Sequence, residues 1–399
     1  MSDTDALERP RPKYGLALHD LNENQIDAIR RIPSHDQAVA PKIQARRPAS
    51  IFLSKERYDL EQARIFRKEP VVLAPSAAIP DNGSVIALNG YGVPVLLTRD
   101  RQGELRAFLN VCTHKGALLH EGCGAKKAGS VTCPYHAWTF GLDGQLRGVP
   151  REDTYEKFEK SERPLTALPC QEAGGLIWGI LDPKAKADFS SVPEQVEKDF
   201  ESLGLPTAYM YGYRRFELKA NWKLVMEPFL EGYHVQRLHA SSIGPLGMDM
   251  FEDVVGVQEL IGRHIRQTNG RGNYTPDILD KPGINIRSYI THAYNVFPNT
   301  VVITSPYYTS VMVIMPTSEG TSSVDYYMLT DDAPNNPKAE ELYAKSFEVI
   351  QDVFGNEDFK ASEMCQVGLS SGAIPDVIYC GMEAAIPMFY EGIEAALGV

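Results

Sequence analysis

Cys112-Thr113-His114-Lys115-Gly116-Ala117-Leu118-Leu119 and, farther along, Cys133-Pro134-Tyr135-His136-Ala137-Trp138-Thr139-Phe140 decide how the rest of the chain is read. Each stretch offers one thiolate and one imidazole at a spacing that a single loop can present. A [2Fe–2S] cluster in which one iron takes two thiolates and the other two imidazoles needs that set, one Cys and one His from each of two loops. The rival is a zinc site of two Cys and two His. Zinc modules usually draw Cys-x-x-Cys and His-x-x-x-His as separate pairs, whereas each loop here mixes the types and carries Gly116 or Pro134 beside the ligands. The cluster is the better reading.

Outward from these loops, Ile51 to about Leu181 alternates β-rich runs, such as Ser84 to Leu88 and Val93 to Thr98, with turn signals at Asp81-Asn82-Gly83 and Asp143-Gly144. That pattern predicts an antiparallel β domain. The first 50 residues are polar and proline-dotted, with one helix expected from Leu21 to Arg31, capped by Asp20 and ended by Pro33; they read as an arm. After Asp182-Pro183 the texture changes. A helix is expected around Asn221 to His239, broken at Pro228, then strands over Val301 to Pro316 and Ser323 to Thr330, then a long helix from Pro337 to Phe354. The second half is therefore α+β, and the expected division is an arm at 1–50, a β domain at 51–181 and an α+β domain at 182–399.

The second half holds its own constellation, Glu231-Gly232-Tyr233-His234-Val235-Gln236-Arg237-Leu238-His239. Residues five apart drift off a shared helix face, so a local unwinding is needed for His234 and His239 to reach one ion. Two imidazoles and one carboxylate form the facial triad of a non-haem Fe(II), which leaves positions open for O₂ and substrate.

Taken together these motifs resemble the ring-hydroxylating, Rieske-type non-haem iron oxygenases, from about Ile51 to Leu369. Respiratory Rieske proteins are less similar, since Ala117 and Tyr135 stand where those carry an extra disulfide-bonded cysteine pair. Lys115 also departs from the Arg common in the oxygenases. The resemblance implies a Rieske antiparallel β-sandwich joined to a helix-grip, START-like domain, with the arm packed on the latter. It implies Cys112, His114, Cys133 and His136 as cluster ligands and His234, His239 and Asp358 as Fe(II) ligands, with Glu363, Glu357 and Asp352 as alternatives to Asp358. Glu231, where the family commonly has Asp, would bridge His234 to the cluster ligand His136 of a neighbouring subunit in a homotrimer, holding the imidazoles and connecting the two centres. Phe229, His292 and Asn295 are candidate pocket residues, as are Met248, Met250 and Phe251. His19, His35, His120 and His264 are expected to be structural or exposed.

Of 399 residues, 52 are acidic and 40 basic, a net charge of −12 that leaves no cationic excess for nucleic acid. No apolar run is long enough to span a bilayer and no signal-peptide pattern opens the chain, so a cytoplasmic location is expected. Six irregularly spaced cysteines do not form a disulfide framework. No Gly-rich dinucleotide fingerprint is present, so electrons from NAD(P)H should come through a separate reductase, with or without a ferredoxin. The function expected is hydroxylation, dihydroxylation or oxidative demethylation of a small organic substrate, expected to be aromatic and met in aromatic compound catabolism. A bare Rieske electron carrier and a ligand-binding helix-grip protein with a dead iron site are the alternatives. Arg263, Arg266 and Arg287 are candidates to meet an acidic substrate.

Overall fold

The computed structural model describes residues 15–122, 124–243 and 256–398, so Met248, Met250 and Phe251 lie outside the described residues. In the first half, strands Ala167–Leu168, Leu105–Leu109, Val95–Arg99, Ser84–Leu88 and Lys126–Lys127 form an antiparallel sheet in that order. Ser84–Leu88 is buried along its whole length, as expected for a short apolar run covered on both faces. Its partner starts at Val95 rather than Val93, because Pro94 has no N–H to give a ladder. A second antiparallel sheet joins Cys170–Ala173, Leu176–Gly179 and Val71–Pro75. A third, small one joins Ser130–Thr132, Thr139–Gly141 and Leu146–Gly148 and carries the second Cys/His loop between its first two strands; the first loop follows Leu105–Leu109, and the two share a core of their own around Phe108, Trp138 and Phe140.

The second half is organised by a seven-stranded antiparallel sheet. Its order is Tyr209–Leu218, Thr321–Thr330, Thr309–Ser318, Thr300–Thr304, Ile290–Val296, His264–Gly270 and Gly256–Ile261. The stretch expected as strand from Val301 to Pro316 is two strands, divided at a turn in which Ser305 N–H donates to the Tyr308 carbonyl at 2.8 Å. On one side of this sheet runs a rod of three consecutive pieces. Helix Pro337–Val353, capped by Asn336, passes into a wide π-helical turn, Phe354–Asp358, and continues as helix Phe359–Ser370. Wide turns of this kind add a residue to a helix and often mark functional positions.

The arm helix is Glu23–Arg30, and its cap is Asn22 rather than Asp20: the Asn22 side chain accepts from Gln25 N–H while the Gln25 side chain accepts from Asn22 N–H. The arm packs on the second half through Gln25, which donates to Tyr294 Oη at 3.0 Å, and Tyr274, which donates to the Ile32 carbonyl at 3.2 Å. At the seam between the halves, Trp178 meets His264 edge to face at 6.2 Å. Arg263 is ion-paired with Glu69 beside it.

Candidate metal centres

The two Cys/His loops fold by one rule. Cys112 N–H donates to the Ala117 carbonyl at 2.8 Å and its own carbonyl accepts from Gly116 N–H at 2.9 Å; Cys133 does the same with Trp138 at 2.8 Å and Ala137 at 3.0 Å. The fifth residue of each loop is therefore left-handed, Gly116 at φ 81° and Ala137 at φ 56°. That conformation is free for glycine and costs about 1 kcal/mol for alanine. Both cysteines are buried. The His114 ring stacks on Trp138 with centroids 4.7 Å apart, and His136 lies 4.8 Å from it.

These residues fit the cluster chemistry. His114 Nδ1 is buried without a hydrogen-bond partner, an expensive arrangement unless a metal takes the lone pair, and burial holds this imidazole below its ordinary pKa, hence neutral and ready to ligate. Among the described residues, His234, His239 and Asp358 are the group that converges on one point closely enough for a single ion. The thiols of Cys112 and Cys133 are in contact and the rings of His114 and His136 lie 4.8 Å apart, thiol beside thiol and imidazole beside imidazole, which suits a cluster with one iron on each pair.

At the second centre, Pro228 ends the helix Trp222–Met226 and a tight 3₁₀ turn, Glu227–Leu230, delivers the chain to Glu231. His234 and His239 then sit at the two ends of the very short helix Val235–Leu238; the expected unwinding between them is not seen, since Leu238 N–H and His239 N–H bond the His234 and Val235 carbonyls at 2.8 and 3.1 Å, and only His239 itself leaves the helical backbone. Their Nε2 atoms lie 3.2 and 3.3 Å from the same oxygen of the buried Asp358 carboxylate. Their Nδ1 atoms face outward, His234 to Glu231 and His239 to Glu357. Carboxylates that hold the far nitrogen of a metal-binding imidazole fix its tautomer and orientation. Glu231 also accepts from His234 N–H at 3.1 Å, and Glu357 from Ser242 Oγ at 2.7 Å.

Burial disfavours an imidazolium at His234, but Asp358 and Glu231 overcome it and lift the group to about 10; His239 rises for the same reason, opposed by burial and driven by Asp358 and Glu357. Asp358, despite burial, is held low by the two histidines. Three carboxylates around two imidazoles make a field that calls for positive charge, and a divalent cation meets it in place of protons. Of the alternatives to Asp358, Glu363 accepts from Lys219 N–H at 3.0 Å, Asp352 lines a separate groove with Tyr211, and Glu357 touches only the outward nitrogen of His239. The backing role of Glu357 was not foreseen; its one signal in the sequence was adjacency to Asp358.

A cavity of about 480 Å³ opens onto this centre, lined by His234, His239, Asp358 and Glu231 at one end and largely apolar elsewhere. Phe229 is in its wall; His292 and Asn295 are not. Alternation along strand Ile290–Val296 explains His292 but not Asn295, which shares the face of Thr291 and Ala293 and lies beyond the cavity's end. Thr291 and Ala293 face the cavity, whereas His292 points to the other side, where burial pushes it down to about 3 and its ring stacks near Tyr294. Asn295 Oδ1 accepts from Gln267 Nε2 at 3.1 Å. Arg263, Arg266 and Arg287 are likewise outside, ion-paired with Glu69, Asp199 and Asp331 respectively. The arginine that does line the cavity is Arg271.

Residues 69–159 match the model of the Rieske [2Fe-2S] domain, and residues 207–398 that of the Ring hydroxylating alpha subunit (catalytic domain). Among curated proteins, the chain is 28% identical to a chloroplastic choline monooxygenase of Beta vulgaris, over 85% of this chain and 74% of that one. It is 26% identical to a carnitine monooxygenase oxygenase subunit of Escherichia coli, over 81% of this chain and 84% of that one. It is 31% identical to a glycine betaine monooxygenase oxygenase subunit of Pseudomonas aeruginosa, over 48% of this chain and 44% of that one. Among solved structures, a quaternary ammonium Rieske monooxygenase with an inhibitor bound superposes with a TM-score of 0.74 at 23% identity, covering 88% of this chain and 94% of the other. Naphthalene 1,2-dioxygenase from a Rhodococcus species superposes with a TM-score of 0.72 at 20% identity, covering 94% and 97%.

Proposed function

We propose, for a chain that belongs to the Rieske non-haem iron oxygenases and is their terminal, oxygen-using component, that it monooxygenates a small organic substrate carrying a quaternary ammonium group. The observation that carries the reading is the convergence of His234, His239 and Asp358 at one end of a largely apolar cavity. In this assignment Cys112, His114, Cys133 and His136 hold the [2Fe–2S] cluster, and His234, His239 and Asp358 hold the iron. When bound, the cluster supplies electrons singly and the iron supplies the binding and activation of O₂.

The chain's own residues do the rest. Glu231 and Glu357 accept hydrogen bonds from the Nδ1–H groups of the two histidines, so that both Nε2 lone pairs face the metal. Phe229 and Phe354 shield the reacting end from water and offer aromatic faces there on which an alkylammonium can rest. The relatives named for choline, carnitine and glycine betaine favour that substrate class. An aromatic substrate is the second reading, favoured by the apolar wall.

Further parts of the proposal concern assembly. The chain divides into an arm at 1–50, a Rieske domain at 51–181 and a catalytic domain at 182–399. Copies associate as a homotrimer in the cytoplasm, Glu231 linking His234 to His136 of the next copy. A separate NAD(P)H reductase, with or without a ferredoxin, feeds the cluster. Reconstituted protein, a surrogate reductase and a panel of choline, carnitine, glycine betaine and naphthalene test the reading. It expects three irons per chain and reductant consumption coupled to a product that has gained one oxygen or lost a methyl group. Two irons per chain, or consumption without any oxidised product, would sink it. Glu231→Gln should retain both metals and slow single-turnover product formation.

A further inference from the structure

We propose that Arg271 anchors an anionic group, a carboxylate in the first instance, at the end of the cavity away from the iron site, so that the substrate is an organic anion or zwitterion. This rests on the oxygenase reading of the same cavity and adds the charge of what enters it.

Arg271 is 6% exposed and lines the cavity. Its Nε has no hydrogen-bond partner, and among the described residues no carboxylate lies within ion-pair reach of its guanidinium. The contrast with the other buried arginines is sharp. Arg266 has both Asp199 and Glu259, and Arg287 has Asp331 and the Leu203 carbonyl. Desolvation pulls Arg271 down to about 10, which still leaves it a cation at neutral pH. A buried charge without a partner destabilises a fold, and one that faces a ligand cavity is completed when the ligand brings the opposite charge.

The backbone fixes where that charge sits. Arg271 N–H donates to the Tyr289 carbonyl at 2.7 Å and its carbonyl accepts from Tyr274 N–H at 2.7 Å, extending the pairing of strand His264–Gly270 with its neighbour by one step. Gln267, Asn269 and Arg271 therefore alternate onto the cavity face, and all three line it. Gln267 marks the metal end, because its Nε2 donates to the Phe229 carbonyl at 2.9 Å, close before Glu231. At roughly 3.3 Å per residue, Arg271 lies ~13 Å along the strand from Gln267.

The charges that line the cavity are thus polarised. The acids, Glu231 and Asp358, are at the iron end; Arg271 is at the other, with the exposed Lys345 also in the lining. A bound iron would offset the acids at the first end, so the buried cation left unpaired in the lining is Arg271 at the second, which orients an elongated substrate with its anionic group away from the iron. Ser305 and Tyr308, in the turn that lines the same cavity, add hydroxyl groups.

Calorimetric titration of the iron-loaded full chain, without reductase, tests this independently of turnover. The probes are phenylalkanoates from benzoate to phenylpentanoate and trimethylammoniobutyrate, each against its own primary amide. The expectation is a carboxylate that binds about ten-fold or more tightly than its amide, a ratio lost in Arg271→Gln and partly kept in Arg271→Lys. Unliganded Arg271→Gln should melt at or above the wild-type temperature, since it removes an unpaired charge. Equal binding of acids and amides, a preference that survives Arg271→Gln, or no binding by any carboxylate of the series would overturn the proposal. If the preference holds while no product forms in the reductase assay, the function assigned to the cavity fails and the anion site stands.

Discussion

At the cluster end of the molecule, positioning is done by backbone: two loops repeat one hydrogen-bond pattern and turn at a left-handed residue, with their cysteines in a small core of their own. At the mononuclear end it is done by side-chain charge. His239 and Glu357 are 118 residues apart in sequence, and the two imidazoles are aimed by carboxylates on both nitrogens. The difference teaches that the first site is a local object, and that the second exists only once the sheet, the short helix and the rod have all docked.

The strongest way to break that comparison is His234→Ala. It should abolish product formation while the visible spectrum of the cluster is unchanged; a lost spectrum would show that the two centres are not separate. Next, Glu357→Gln should weaken iron retention by about 10–100-fold, measured by iron content after chelator dialysis, with cluster iron unaffected. Retention equal to wild type would mean that the carboxylate behind His239 does not orient it.

Smaller effects probe what surrounds the sites. His264, at the seam, accepts at Nδ1 from Phe297 N–H at 3.0 Å, with its other nitrogen 3.3 Å from the Ser191 carbonyl, so the neutral ring is required. Burial depresses it from 6.5 to about 4. The stability it contributes is complete above its unfolded value and is lost as pH falls through 6.5 toward 4. Urea unfolding should thus show a loss of about 2 kcal/mol between pH 7 and 5 beyond that of His264→Gln. Parallel curves for the two proteins would contradict this. Finally, Gly116→Ala should cost about 1 kcal/mol from the left-handed backbone alone, because no atom lies within 4 Å of where the new Cβ would stand. Ala137→Gly, the reverse change at the equivalent place of the other loop, should shift stability by a similar amount in the opposite direction.

What could be read from the chain follows the same division. The cluster loops are legible because all four donors and their turn residues are contiguous, and the two histidines because they share one short segment. Asp358 came from resemblance, since an acid after a helix carries no local mark. Glu357, Gln267 and Arg271 were missed because their roles depend on which face a strand or wide turn presents, and alternation along a strand fixes two faces without saying which is inward. That ambiguity also misplaced His292. Arg263, Arg266 and Arg287 looked as available as Arg271 until the fold supplied their acids.

The π-helical turn Phe354–Asp358 has a consequence for how this protein can change. In a regular helix, consecutive residues point about 100° apart, yet Glu357 and Asp358 both reach the ring of His239, one at each nitrogen. The surplus residue in the turn sets the register of the helix after it against the helix before it, and with it the face on which Glu357 and Asp358 meet His239. Removing Gly355 would wind the rod into uniform pitch and swing its downstream half, so a lineage could abandon the iron through a single codon deletion while keeping every donor residue intact.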